Sequence, residues 1–231
     1  MTDFLYPFID AEERDAEPLL ADLASSAAGK ATLSHQLRTA TLERTQPDLD
    51  VIAAAMAERF DGEGRLFAFG NGGSSTDAAS ITELFARPPR GRPLPARSLA
   101  ADQAVVTALG NDVGFELVFS RQLIAYSRPG DMAVGFSTSG NSTNLIQAFG
   151  EARRRGLLTI GFAGYEGGQM AACPDLDHCL VVRSDSVHRI QETQAALSFA
   201  LWSKVQERLG QGEPAGGGGH GGPGSPAAVS P

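Results

Sequence analysis

The run Ser137-Thr138-Ser139-Gly140-Asn141-Ser142 places four hydroxyls within six residues. An apolar stretch, Met132-Ala133-Val134-Gly135-Phe136, leads into it, and a helical pattern, Asn144-Leu145-Ile146-Gln147-Ala148-Phe149, leads out. The hydroxyls therefore gather where a strand hands over to a helix. A helix N-terminus carries about half a positive charge and several unpaired N–H donors, so it holds anions, phosphate first among them. The corner contains no Lys and does not match the nucleotide-binding loop G-x-x-x-x-G-K-[ST]. It points instead to a small phosphorylated metabolite. Serine- and glycine-rich segments are also ordinary turn material, so one such loop is weak ground by itself.

A second loop repeats the arrangement. Arg65-Leu66-Phe67-Ala68-Phe69 reads as a short buried strand, followed by Gly70-Asn71-Gly72-Gly73-Ser74-Ser75-Thr76-Asp77 and then a helix. The glycines permit close approach of backbone to ligand, and Ser75 or Thr76 is expected to cap the helix. Two loops of this kind, each at the carboxyl end of an expected strand, reinforce one another.

The elements that must position these loops alternate between short apolar runs and helical patterns. Strands are expected at 65–69, 96–101, 131–137, 157–163 and 179–183. Helices are expected at 75–86, 102–109, 114–127, 142–155 and 186–209. This alternation predicts a parallel sheet covered on both faces, with ligands beyond the carboxyl ends of its strands. Ahead of it, residues 8–60 read as helical, and Pro47 is expected to open a separate helix at its first turn. The segment 210–231 is rich in Gly, Pro, Ser and Ala and is expected to be a disordered tail. His220, alone among its glycines, is a poor metal ligand.

Composition removes several function classes. The formal net charge of −8 argues against a nucleic-acid surface. No apolar run approaches membrane-span length, and Met1-Thr2-Asp3-Phe4-Leu5 does not open a signal peptide, so a cytoplasmic location without membrane contact is expected. Cys173 and Cys179 are too few for a zinc cage and are read as two semi-buried thiols. His35 and His178 have no convergent partners in sequence. Arg153-Arg154-Arg155 is read as a solvated helix end beside the C-terminal dipole.

Gly70-Asn71-Gly72-Gly73-Ser74, Gly110-Asn111-Asp112, Ser137–Ser142 and Arg189-Ile190-Gln191-Glu192 together resemble the sugar isomerase (SIS) domain, and within it the phosphoheptose isomerase group. The resemblance covers about residues 50–209. It implies a three-layer αβα sandwich on a parallel sheet, doubly wound in the flavodoxin manner, assembled as a homotetramer. It implies a small phosphorylated sugar as ligand. Ser137, Thr138, Ser139 and Ser142 would hold the phosphate. Asn71, Gly72, Gly73 and Ser74 would meet the sugar, with Asp112 by the open chain and Gln191 pointing into the same site.

The same resemblance implies residues that this chain lacks. Aldose–ketose isomerisation needs a base at carbon, an acid near the carbonyl, and a group to hold the developing oxyanion. The family supplies Glu and His, and often zinc held by His, Glu, Gln and His. Ungapped counting places Ser80, Leu84, Gln191 and Phe199 at those four positions, so no cofactor and no metal are expected. Glu83 stands one residue short of the base position, about 100° round a helix. It is either a base restored by a shortened helix or an exposed surface carboxylate. His188 shares a helix face with Gln191 and is either an acid–base group or a helix-start histidine.

Three segments are thus expected: an N-terminal helical region at 1–60 for packing or assembly, a sugar-phosphate-binding domain at 61–209, and a tail at 210–231. The function expected is a sugar-phosphate-binding protein resembling sedoheptulose 7-phosphate isomerase, with Glu83 and His188 as candidate catalytic groups. The alternative is a non-catalytic tetramer that senses a sugar phosphate or adapts a protein partner. The family includes a relative that associates with the bacterial replication initiator.

Overall fold

Three runs, Leu66–Gly70 (β1), Met132–Ser137 (β3) and Leu158–Gly164 (β4), are buried at every position, the pattern of strands covered on both faces. With Ala96–Ser98 (β2) and His178–Val182 (β5) they form one parallel sheet in the order β2-β1-β3-β4-β5. That is the flavodoxin-type order, whose switch point lies between β1 and β3. Leu66 stands opposite Met132, which stands opposite Leu158, so the strands end nearly level. The computed structural model from which these features are read describes residues 16–211.

Two core layers sandwich the sheet. On one face lie Ala16–Asp61 (α1), Gly73–Ala86 (α2) and Val187–Gln211 (α7), around Phe85, Ile81, Met56 and the fully buried Trp202. On the other lie Val118–Tyr126 (α4) and Thr143–Arg154 (α5), packing Phe119, Phe149 and Leu145 against Phe69. Gln103–Asp112 (α3) and a 3₁₀ turn at Phe115–Leu117 lead into α4. Gly168–Ala171 (α6) is a single turn after β4 that the sequence did not signal.

The expected break at Pro47 does not occur: α1 runs through it. Proline withholds one hydrogen bond from the carbonyl four residues earlier, Glu43. Pro47 and Glu43 are both exposed, so water can take that carbonyl, while Leu49, Ile52, Met56 and Phe60 anchor the helix beyond it. From Leu19 to Ala40 nearly every α1 side chain is exposed, including Leu20 and Leu23. The first part of the expected N-terminal helix, residues 8–15, and nearly all of the expected tail, 212–231, lie outside the described residues.

At the amino ends of the strands, Asp131 is fully buried. It accepts from the Arg65 backbone N–H at 2.8 Å, from Arg65 Nη2 at 2.8 Å and from the Arg128 N–H at 2.8 Å. The Arg153–Arg155 run is more than a solvated end. Arg155 Nη2 donates to the Ser127 carbonyl at 2.7 Å, and Arg153 pairs with Asp177. The thiols Cys173 and Cys179 are free and half-buried, and burial pushes Cys179 up to about 11, with Cys173 adding to the effect.

Candidate functional site

Ser137 closes β3 and Ser142 is the residue before α5, so the strand end and the helix start fix the hydroxyl cluster from both sides. The Ser137 and Ser142 hydroxyls lie 3.0 Å apart, and Ser137 and Ser139 lie 3.5 Å apart. Ser137 Oγ also accepts the Gly140 N–H at 3.1 Å, and Ser139 Oγ accepts the Asn141 N–H at 3.2 Å. No side chain caps the α5 N-terminus. The helix-end donors there are left to water or to an anion.

Gly140 fixes the shape of this corner. Its φ is +66°, and a Cβ there would run into the Gly167 carbonyl. The unforeseen α6 supplies the other half of the clamp. The Met170 N–H donates to the Gly140 carbonyl at 3.0 Å, and the Gln169 N–H donates to Asn141 Oδ1 at 2.9 Å.

The Gly70–Ser74 loop lies alongside, across the β1/β3 switch point. Asn71 and Asn144 exchange two side-chain hydrogen bonds of 2.9 Å each and join the loop to the first turn of α5. Helix α2 begins at Gly73, earlier than expected, so Ser75 and Thr76 do not cap it. The Ser75 hydroxyl donates back to the Gly72 carbonyl at 2.6 Å. Ser74 is buried. Asn71, Ser142, Thr143 and Asn144 line a pocket of about 540 Å³ with Phe115 and Glu116 at its wall.

A second pocket, of about 450 Å³, opens between α2 and α7. Asp77, Ser80, Glu83, Leu84, Arg87, Ala195, Ser198 and Phe199 line it. Gln191 stands between the Gly-rich loop and this second pocket, against Gly73 on one side and Asp77 on the other. Gln191 Nε2 donates to Asp77 Oδ2 at 3.4 Å, and the same amide lies so close to Gly73 that any Cβ there would strike it. Burial pushes the Asp77 carboxyl above the usual carboxylate range, and the Gln191 hydrogen bond pulls it part of the way back.

The structure thus sets the Ser137, Ser139 and Ser142 hydroxyls side by side, puts Asn71 and Ser142 on one pocket and lays Gln191 against Gly73, with Gly72, Ser74 and Thr138 in the same two loops. Glu83 is 59% exposed and bonded to Arg87 at 2.9 Å, yet it lines the α2–α7 pocket. His188 is exposed on the first turn of α7 and lines neither pocket. Asp112 stands apart at the end of α3, accepting from Asn111 at 2.8 Å, and Glu116 occupies the pocket wall instead. Sequence reasoning passed over three participants: Asp77, Asn144 and Glu116. Asp77 carried a signal, since it lies on the helix face that continues the Gly-rich loop.

The residues do not fit zinc. A structural or catalytic zinc takes thiolate, imidazole or carboxylate donors. The aligned positions offer a Ser hydroxyl, a Gln amide, and no donor at all from Leu84 or Phe199. Among the described residues, no three of His, Cys, Asp and Glu gather closely enough to hold a metal ion.

Comparison with known proteins agrees with this geometry. The SIS domain matches residues 32–164. The chain belongs to the SIS domain family. Within it the similarity is to phosphoheptose isomerases. That of Roseiflexus sp. (strain RS-1) is 40% identical over 180 residues, covering 76% of this chain and 89% of the relative. The solved phosphoheptose isomerase of Neisseria gonorrhoeae superposes with a TM-score of 0.74 at 34% identity, over 80% of this chain and 99% of that one. That of Francisella tularensis gives 0.75 at 28% identity, over 80% and 98%. No helix among the described residues is long and apolar enough to cross a membrane.

Proposed function

We propose that this protein binds an open-chain sugar phosphate at the β1/β3 switch point and interconverts its aldose and ketose forms. Sedoheptulose 7-phosphate is the first substrate to test, because the similar relatives are phosphoheptose isomerases. The observation that carries the reading is the uncapped α5 N-terminus beside the Ser137 hydroxyl, which lies within hydrogen-bond distance of both the Ser139 and the Ser142 hydroxyls. Neutral hydroxyls and main-chain N–H groups would hold the phosphate there without a cation. The Asn71–Ser74 loop would meet the sugar hydroxyls. We assign the phosphate to Ser137, Thr138, Ser139 and Ser142, and the sugar to Asn71, Gly72, Gly73, Ser74 and Gln191.

Isomerisation removes a proton from the carbon beside the carbonyl, passes through an enediol, and returns a proton to the neighbouring carbon. Glu83 is the proposed base. Its place on the wall of the α2–α7 pocket supports this, and it must first leave Arg87. His188 would serve as acid only if the substrate reached the first turn of α7. An assembly of several copies and a cytoplasmic location belong to the same reading.

A second reading, binding without turnover, is favoured by one observation: Phe199 and Leu84 wall the pocket where the resemblance expects an imidazole and a carboxylate. Solvent-deuterium exchange into sedoheptulose 7-phosphate, followed by NMR, separates the two. Exchange that Glu83→Gln abolishes supports the isomerase. No exchange at high protein concentration leaves the binder.

A further inference from the structure

We infer that the α2–α7 pocket is a metal-free aromatic subsite that packs the carbon chain of the bound sugar phosphate against Phe199. This rests on the reading of the Ser137–Ser142 corner as the phosphate site. The pocket's apolar lining is Leu84, Ala195 and Phe199, with Ser80 and Ser198 as its hydroxyls and Asp77, Glu83 and Arg87 as its charges. Phe199 is 49% exposed and lines this pocket. Its ring leans on Trp202 at 5.2 Å between centroids, and Trp202 is itself fully buried, so the ring is held from behind while its other side stays open.

A ring held in this way offers a fixed apolar surface, and the C–H edges of an open-chain sugar supply a matching one. Continuity with the phosphate corner argues for that occupant over an unrelated molecule. Ser142 and Asn144 lie on the corner, Asn144 is bonded to Asn71, Gly73 abuts Gln191, and Gln191 donates to Asp77 on the pocket wall. Along α2, Asp77 stands only about 6 Å from Gly73, within the span of a phosphorylated sugar chain. Leu84 and Phe199 offer packing surface rather than metal donors at the positions where the resemblance implies a carboxylate and an imidazole.

Calorimetric titration tests this with two probes, sedoheptulose 7-phosphate and inorganic phosphate. Phe199→Ala should weaken the sugar ester about tenfold while leaving inorganic phosphate unchanged, and Phe199→Tyr should restore the ester. Equal weakening of both probes, or of neither, overturns the subsite. If the unaltered protein binds neither probe, the phosphate corner fails instead, and that failure is distinct. Metal analysis of protein purified without chelator should find no stoichiometric zinc, and one zinc per chain would overturn the metal-free assignment. The triple variant Ser80→His, Leu84→Glu, Phe199→His should acquire one zinc per chain. If it melts like the parent and still takes none, these positions do not form the cavity proposed.

Discussion

Ser137 is 4% exposed, yet its hydroxyl serves two serines and one backbone N–H. A ligand phosphate must share or displace those bonds, so the cluster is poised between an internal network and an anion site. Ser137→Ala should weaken sugar phosphate and inorganic phosphate alike by about tenfold, as removal of one hydrogen bond to a charged group does. Titration of both ligands checks it. Two carboxylates give opposite pH signatures. Burial raises Asp77 in the folded protein, so its stabilising share is present below the unfolded carboxylate range and is lost as pH rises through the folded one. Asp77→Asn should therefore melt like the parent in acid and gain melting temperature over it as pH rises through the carboxylate range. Burial pushes Asp177 up as well, but the Thr159 N–H and hydroxyl together with Arg153 outweigh it and hold it low. Its stabilisation is present above the unfolded carboxylate range and is lost as pH falls through the folded one. Asp177→Asn should lower the melting temperature at pH 7 and lose that difference in acid. Thermal melts across pH read both signs.

Among elements, the switch point depends on the Asn71–Asn144 exchange, which ties the β1–α2 loop to α5. Asn144→Ala leaves Asn71 half-buried without its partner and should cost about 1 kcal/mol, with a larger loss of ligand affinity than of stability. Denaturant midpoints and titration together measure the split. At the opposite end of the sheet, Asp131 gathers Arg65 and the 128–131 turn. Asp131→Ala removes the shared acceptor of the Arg65 and Arg128 N–H groups and should cost about 2 kcal/mol, while the surviving folded protein binds sugar phosphate unchanged. What the sequence disclosed about these elements follows range of interaction. The serine corner was legible because strand end, turn and helix start are neighbours in the chain. The clamp from α6 onto Gly140 and the Asn144 partner of Asn71 were not, because each depends on a residue 28 or more positions away. Helix α1 was misread at Pro47 because a local breaker was weighed without the packing of Leu49, Ile52 and Met56, which outweighs it.

At the scale of the molecule, a SIS-family α/β sandwich carries, between α2 and α7, a pocket lined by Leu84 and Phe199 where the family resemblance implies a carboxylate and an imidazole. The proposed phosphate corner carries its hydroxyls, and the pocket proposed to hold the reacting carbons has Leu84 and Phe199. The long exposed stretch of α1, with Leu20 and Leu23 in water, fits a chain that assembles with copies of itself. Leu20→Lys with Leu23→Lys should reduce the mass seen by light scattering. Whether this pocket supports turnover is read by deuterium exchange. Whether the phosphate corner works at all is more basic, and a pair of titrations decides it. Sedoheptulose 7-phosphate should bind saturably at one per chain, and unphosphorylated sedoheptulose should not bind measurably. Equal binding of the two sugars, or no binding of the ester, would contradict the assignment of Ser137–Ser142 as the anchor.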